Sequence, residues 1–212
     1  MQGFLENLRV QRWDDHRYYH QSRINQTLHF ISALSFLYAY VLAFTGNLAA
    51  AALVGWLVSM ATRQSGHFFF EPKGYDEVNE ATHQHKEEIK VGYNLHRKVV
   101  LMAVWVLSPA ILLASPTLWG LVPAAHGGAA LLQQVGVIWF WVGVGALLFR
   151  LAQLTVQQSF ATGITWICKI LTDPFHDALL YWKAPFHLLR GELLDPMDHA
   201  RDHARDHDRQ RA

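Results

Sequence analysis

The feature that most constrains this chain is where charge is missing. Ile24 to Thr62 runs 39 residues, and Val99 to Phe149 runs 51, without one Asp, Glu, Lys or Arg. A charge at mid-depth in a bilayer costs at least about 2.5–3.5 kcal/mol, and one spanning helix needs about 20 apolar residues. Each stretch is therefore long enough for two crossings. The first divides at Thr45-Gly46-Asn47 and the second between Ser115-Pro116 and Gly127-Gly128, both rich in helix breakers. The expected architecture is an all-α, polytopic membrane protein with four spans arranged as two hairpins: His29 to Phe44, Leu48 to Ala61, Val99 to Leu113 and Leu131 to Phe149. The mean hydropathy of +0.08 also permits a soluble bundle. However, Leu131 to Phe149 is apolar all round except for Gln133 and Gln134, and a surface helix needs a polar face.

All 18 Lys and Arg lie outside the two hairpin turns. The positive-inside rule then places both termini on the cytoplasmic side. Met1 to Asn25 has no apolar core or cleavage site, so no signal peptide is expected. Cys168 is the only cysteine, which rules out an intrachain disulfide. Basic and acidic residues balance at 18 to 17, and no phosphate-binding loop is present, so nucleic acid is not an expected partner.

Chemistry then falls to the 13 histidines, of which only His126 lies in an outer turn. His29 stands 17 residues before Gly46, and His67 stands 20 after Asn47. These are roughly 26 and 30 Å of helix, so the two return to nearly one level. His96, just before the third span, reaches that level from the other hairpin. Histidines converging from separate helices are what a metal site in a bundle requires. His67 and Glu71 are four residues apart on one helical face. With His29 they would supply two imidazoles and a carboxylate, the facial set of non-haem Fe(II) oxygenases. His20 and His29, nine apart, would point oppositely on a straight helix and cooperate only if the chain bends near Asn25. Glu80, His83, His85 and His96 add candidate ligands in the following loop. Asp76 to Lys98 reads equally well as a charged amphipathic helix on the membrane surface.

The run Tyr18-Tyr19-His20, then Asn25, His29, Gly66-His67 and Glu71-Pro72 resembles the DUF962 family of small membrane proteins. Its characterised members are iron-dependent dioxygenases that shorten 2-hydroxy fatty acids by one carbon in α-oxidation. The resemblance is clearest over residues 18–72. It implies Fe(II) as cofactor, with His20, His29 and His67 as catalytic ligands. Glu71, His83, His85 and His96 are further candidate ligands, and Tyr19, Asn25 and Gln64 orient them. A Gln is usual in that family four residues before the second-arm histidine; here Arg63 stands there and Gln64 is one closer. Membrane hydroxylases and desaturases, by contrast, need adjacent-histidine boxes, and this chain has His16-x3-His20 but no adjacent pair.

The expected organisation is a membrane-embedded domain over 1–171, an interfacial segment over 172–197 and a charged His/Arg/Asp tail over 198–212. The expected partners are the bilayer, a fatty acyl substrate and dioxygen. Axial haem ligation and a non-catalytic membrane scaffold are the alternatives.

Overall fold

The computed structural model describes residues 3–91 and 94–197. The tail 198–212, with His199, His203 and His207, lies outside the described residues. The described elements are helical, apart from two isolated bridges at Ser22 with Leu194 and Asp76 with Ala81. Helix α1 spans Phe4–Tyr19 and α2 spans Arg23–Phe44. A continuous helix over 48–69 follows, made of α3 (Leu48–Val54), a π-helical stretch (Gly55–Met60) and α4 (Ala61–Phe69). After a loop come α5 (His83–Ile89), α6 (Leu95–Leu107), a 3-10 turn (Ser108–Ala110) and α7 (Ile111–Ala114). The chain then forms α8 (Gly128–Gln157), α9 (Phe160–Tyr181) and α10 (Ala184–Leu189).

Among the described residues, three helices are long and apolar enough to cross a membrane: Arg23–Phe44, Leu95–Ala114 and Gly128–Gln157. They mark an integral membrane protein. Their outer faces carry exposed Leu34, Val41, Phe44, Val106, Leu107, Leu113, Trp141 and Phe149. An apolar surface this extensive is out of place in water and natural in lipid.

Two helices reach beyond the charge-free stretch, one at its start and one at its end. α2 starts at Arg23, where Ser22 accepts a hydrogen bond from the Asn25 N–H at 3.5 Å. Its polar first turns are tolerated because Asn25, Gln26 and His29 are buried inside the bundle. The helix 48–69 runs eight residues past Ala61, through Arg63 and His67, for the same reason. α9 also runs unbroken across residues 171 and 172, where the sequence suggests a boundary, and passes through Pro174. Its Lys169, Asp173 and Asp177 turn into the bundle and are paired there, which offsets the cost of burying them.

The apolar core joins α3, the π-helical stretch, α6 and α8. Trp56 stacks on Trp105 with centroids 5.3 Å apart, and Trp139 lies 5.2 Å from Trp105. The indole N–H of Trp56 donates to the Trp139 carbonyl at 2.8 Å, and that of Trp139 to the Trp105 carbonyl at 3.1 Å. Gly136 lets α8 approach α3 closely, since a Cβ there would sit 2.6 Å from the Ala49 carbonyl oxygen.

Candidate metal centre

The site begins at the break between α1 and α2. Tyr19 ends one helix and Ser22 caps the next, so His20 sits in the bend. Two side chains of α2 satisfy the carbonyls left open at the end of α1: Asn25 donates to Tyr19 at 2.7 Å and Gln26 to His20 at 2.8 Å. The segment after α10 pins the same bend from outside. Arg23 N–H donates to Leu193 at 2.9 Å, Asp195 N–H donates to Gln21 at 2.8 Å, and the Asp195 carboxylate meets Arg23 at 2.9 Å.

The bend folds His20 back onto His29, with their Nε2 atoms 3.1 Å apart. His67 arrives from α4, its ring centroid 4.9 Å from His29 and 5.4 Å from His20. Gly66 makes this approach possible, because a Cβ there would lie 2.1 Å from the Asn25 carboxamide oxygen. One ligand atom from each of the three histidines falls within 4.8 Å of the others, a group that could hold a metal ion. Two nitrogens each about 2.1 Å from one ion, at angles between a right angle and tetrahedral, lie roughly 3.0–3.4 Å apart. The 3.1 Å between His20 and His29, a hydrogen bond between the two rings, is compatible with that spacing, and a ring nitrogen of His67 lies within 4.8 Å of both. All three rings are buried. Burial, with His29 close by, holds the His20 imidazole well below its ordinary pKa, so it is the neutral ligand form at neutral pH. The donor set is purely imidazole, which suits zinc, copper, iron or nickel.

Glu71 stands against His67 rather than within the three-histidine group. α4 ends at Phe69, so Glu71 leaves the helix and its carboxylate accepts from His67 Nδ1 at 2.8 Å. It also meets Lys90 at 3.2 Å and lies outside the three-histidine group. A carboxylate on the far nitrogen fixes the tautomer and points Nε2 inward, as partners of metal-bound histidines do. The group that could hold an ion is thus three histidines, with the Glu71 carboxylate against the outer nitrogen of one of them.

The loop histidines also stand apart. His83 is half-buried at the start of α5, while His85 and His96 are exposed, and none joins the group. The chain does not form one helix from Asp76 to Lys98; α5 is short and ends well before α6. Buried Lys86, 3.5 Å from the Asp76 carboxylate, ties this loop to the bundle instead. Tyr19 shares in that tie, donating its hydroxyl to the Lys86 carbonyl. Gln64 is buried and lines a cavity beside His67.

Sequence reasoning missed α9's contribution. Lys169, Asp173, Asp177 and Tyr181 recur every fourth residue and form one buried face. That spacing was a readable signal. Lys169 pairs with Asp15 and, at 2.7 Å, with Asp173. Arg63 pairs with Asp177 at 2.9 Å, and Asp177 stands 3.6 Å from His29 Nδ1. Burial alone would raise the Asp15 carboxyl, but the ammonium groups of Lys169 and Lys90 outweigh it and hold it below the usual carboxylate range. The Tyr181 hydroxyl meets His16 Nδ1 at 3.0 Å, and its ring lies 5.6 Å from that of His20.

A cavity of about 440 Å³ opens beside His67. Arg63, Gln64, His67, Lys90 and Lys98 line one end, and Phe36, Ala43, Ala51, Trp56 and Phe140 line the other. Between Ala51 and His67 it follows the helix for roughly 24 Å. Comparison with protein-family models, with curated proteins and with solved structures finds no match for this chain.

Proposed function

We propose that the protein is a membrane-embedded, Fe(II)-dependent oxygenase acting on a fatty acyl lipid, with a 2-hydroxy fatty acid as substrate. One observation carries this reading: three buried imidazoles converge at the end of a long apolar cavity, and His67 belongs to both. The cavity volume falls within the roughly 300–1,000 Å³ usual for small-molecule sites. Its length exceeds the ~15 Å of one hydrocarbon leaflet, which suits an acyl tail. The family resemblance over residues 18–72 points the same way.

His20, His29 and His67 would hold the iron, whose contribution when bound is the redox chemistry of dioxygen. The protein's own groups do the rest. Glu71 holds His67 in one tautomer, and Asn25 and Gln26 hold the bend that carries His20. Gln64 offers a buried carboxamide oxygen without a hydrogen-bond partner among the described residues, an acceptor suited to a substrate hydroxyl. The apolar walls position the chain and exclude water. Axial haem ligation gains no support, since nitrogens 3.1 Å apart leave no space for a porphyrin plane between them.

In this reading the helix 48–69 makes the fourth crossing, and the histidines and both termini face the cytoplasm. Cysteines placed at Asn47 and Gly127 would then react with impermeant reagents from outside, and their protection would reverse the orientation. For the activity, protein purified anaerobically should contain stoichiometric iron. Given dioxygen and a long-chain 2-hydroxy acid, it should release an acid one carbon shorter. Equal turnover of the acid lacking the 2-hydroxyl would reject α-oxidation, and absence of bound metal would leave a scaffold as the better description.

A further inference from the structure

At the polar end of the cavity every cation but one is held in an ion pair. Its lining carries four cations, Arg63, Lys90, Lys98 and Lys169, against three carboxylates, Asp14, Asp15 and Asp173. Arg63 is paired with Asp177, Lys169 with Asp15 and Asp173, and Lys90 with Glu71. Lys98 is different. Its residue is only 7% exposed, it lines the cavity, and its ammonium has no ion-pair or hydrogen-bond partner among the described residues.

A lysine near the end of a membrane helix ordinarily snorkels, keeping its ammonium in water while its stem covers apolar surface. Lys98 instead keeps its side chain inside. An amine almost wholly withdrawn from bulk water, open to the cavity and with no carboxylate in ion-pair contact, gains when an anion joins it there. What fills the rest of the cavity must be apolar, because beyond this end the walls are Phe36, Ala43, Trp56, Leu101, Phe140 and Leu147. An anion on an apolar tail satisfies both ends at once.

We propose that Lys98 is the anchoring and specificity residue for the head group of a single-chain carboxylic acid, selecting the acid over neutral amphiphiles of equal length. It shares its cavity with the function proposed above and deepens that reading, but it needs no metal. Lys98 positions the carboxylate beside His67, and the tail lies along the helix 48–69.

The test is equilibrium binding of palmitic acid and of cetyl alcohol to the full chain in detergent, as purified and again after chelation of metal. Wild-type protein should prefer the acid in both states. Lys98→Met should weaken binding of the acid about tenfold or more, and leave the alcohol within about twofold, which also shows that the cavity is intact. Lys98→Arg should recover most of the acid affinity, and metal content should not change in either variant. Equal acid affinity in wild type and Lys98→Met, or equal affinity of wild type for acid and alcohol, would overturn the assignment. Failure of the wild type to bind either amphiphile would overturn it and the acyl reading together, whereas loss of acid selectivity with stoichiometric iron retained would sink only the role of Lys98.

Discussion

The two ends of the bundle solve the same problem with different chemistry. At one end Trp56, Trp105 and Trp139 fill the space between helices, and two indole N–H groups are satisfied by backbone carbonyls. At the other end Arg12, Asp15, Arg63, Lys169, Asp173 and Asp177 cross-link α1, α4 and α9 through ion pairs. Indole burial contributes directly to stability, whereas buried ion pairs often contribute little net and are costly mainly when broken. The tryptophan end therefore holds the fold, and the charged end holds the histidines in place.

The sharpest break of that division is removal of a ligand. His29→Ala or His67→Ala should abolish stoichiometric metal while leaving the protein folded in the membrane; full metal content in purified His67→Ala would show the site to be elsewhere. The converse substitution, Trp139→Ala, should lower unfolding stability in detergent by about 3–5 kcal/mol. The metal bound per folded molecule should stay unchanged, and parallel loss of both would mean that the ends are not separable. Glu71→Gln gives a smaller effect at the polar end. It should reduce metal affinity about 10–100-fold, measured per folded molecule because the buried pair with Lys90 is also broken, and unchanged affinity would remove Glu71 from the orienting role. His83→Ala and His96→Ala should each shift stability by less than about 0.5 kcal/mol and leave metal content alone, as titration with a chelator can show.

The convergence of His29 and His67 was legible because it depends only on helical rise counted from a turn, and the structure brings their rings to 4.9 Å. His20 was legible as a condition, a bend near Asn25, and the bend is there between Tyr19 and Ser22. The pairing of His67 with Glu71 was legible from their four-residue spacing, and the two side chains meet at 2.8 Å although α4 stops at Phe69. His83 and His85 entered on local spacing and His96 on depth, and neither records direction: His85 and His96 are exposed and His83 is half-buried. The helix of Phe160–Tyr181 was hidden by its own charges: Lys169, Asp173 and Asp177 look like an exposed surface until their partners on α1 and α4 are known.

The π-helical stretch over Gly55–Met60 links the two ends along one helix. A wide turn of this kind accommodates an extra residue without breaking the rod, and such turns are frequent at functional sites. In a uniform α-helix each residue advances the direction of its side chain by about 100°. The bearing of His67 would then be dictated by that of Trp56. The wide turn uncouples the two bearings, so Trp56 can face α6 and α8 while His67 faces α2. It works like an offset coupling on a shaft: the additional residue is taken up within the widened turn, so it is not passed on as a swing of the imidazole away from His20 and His29.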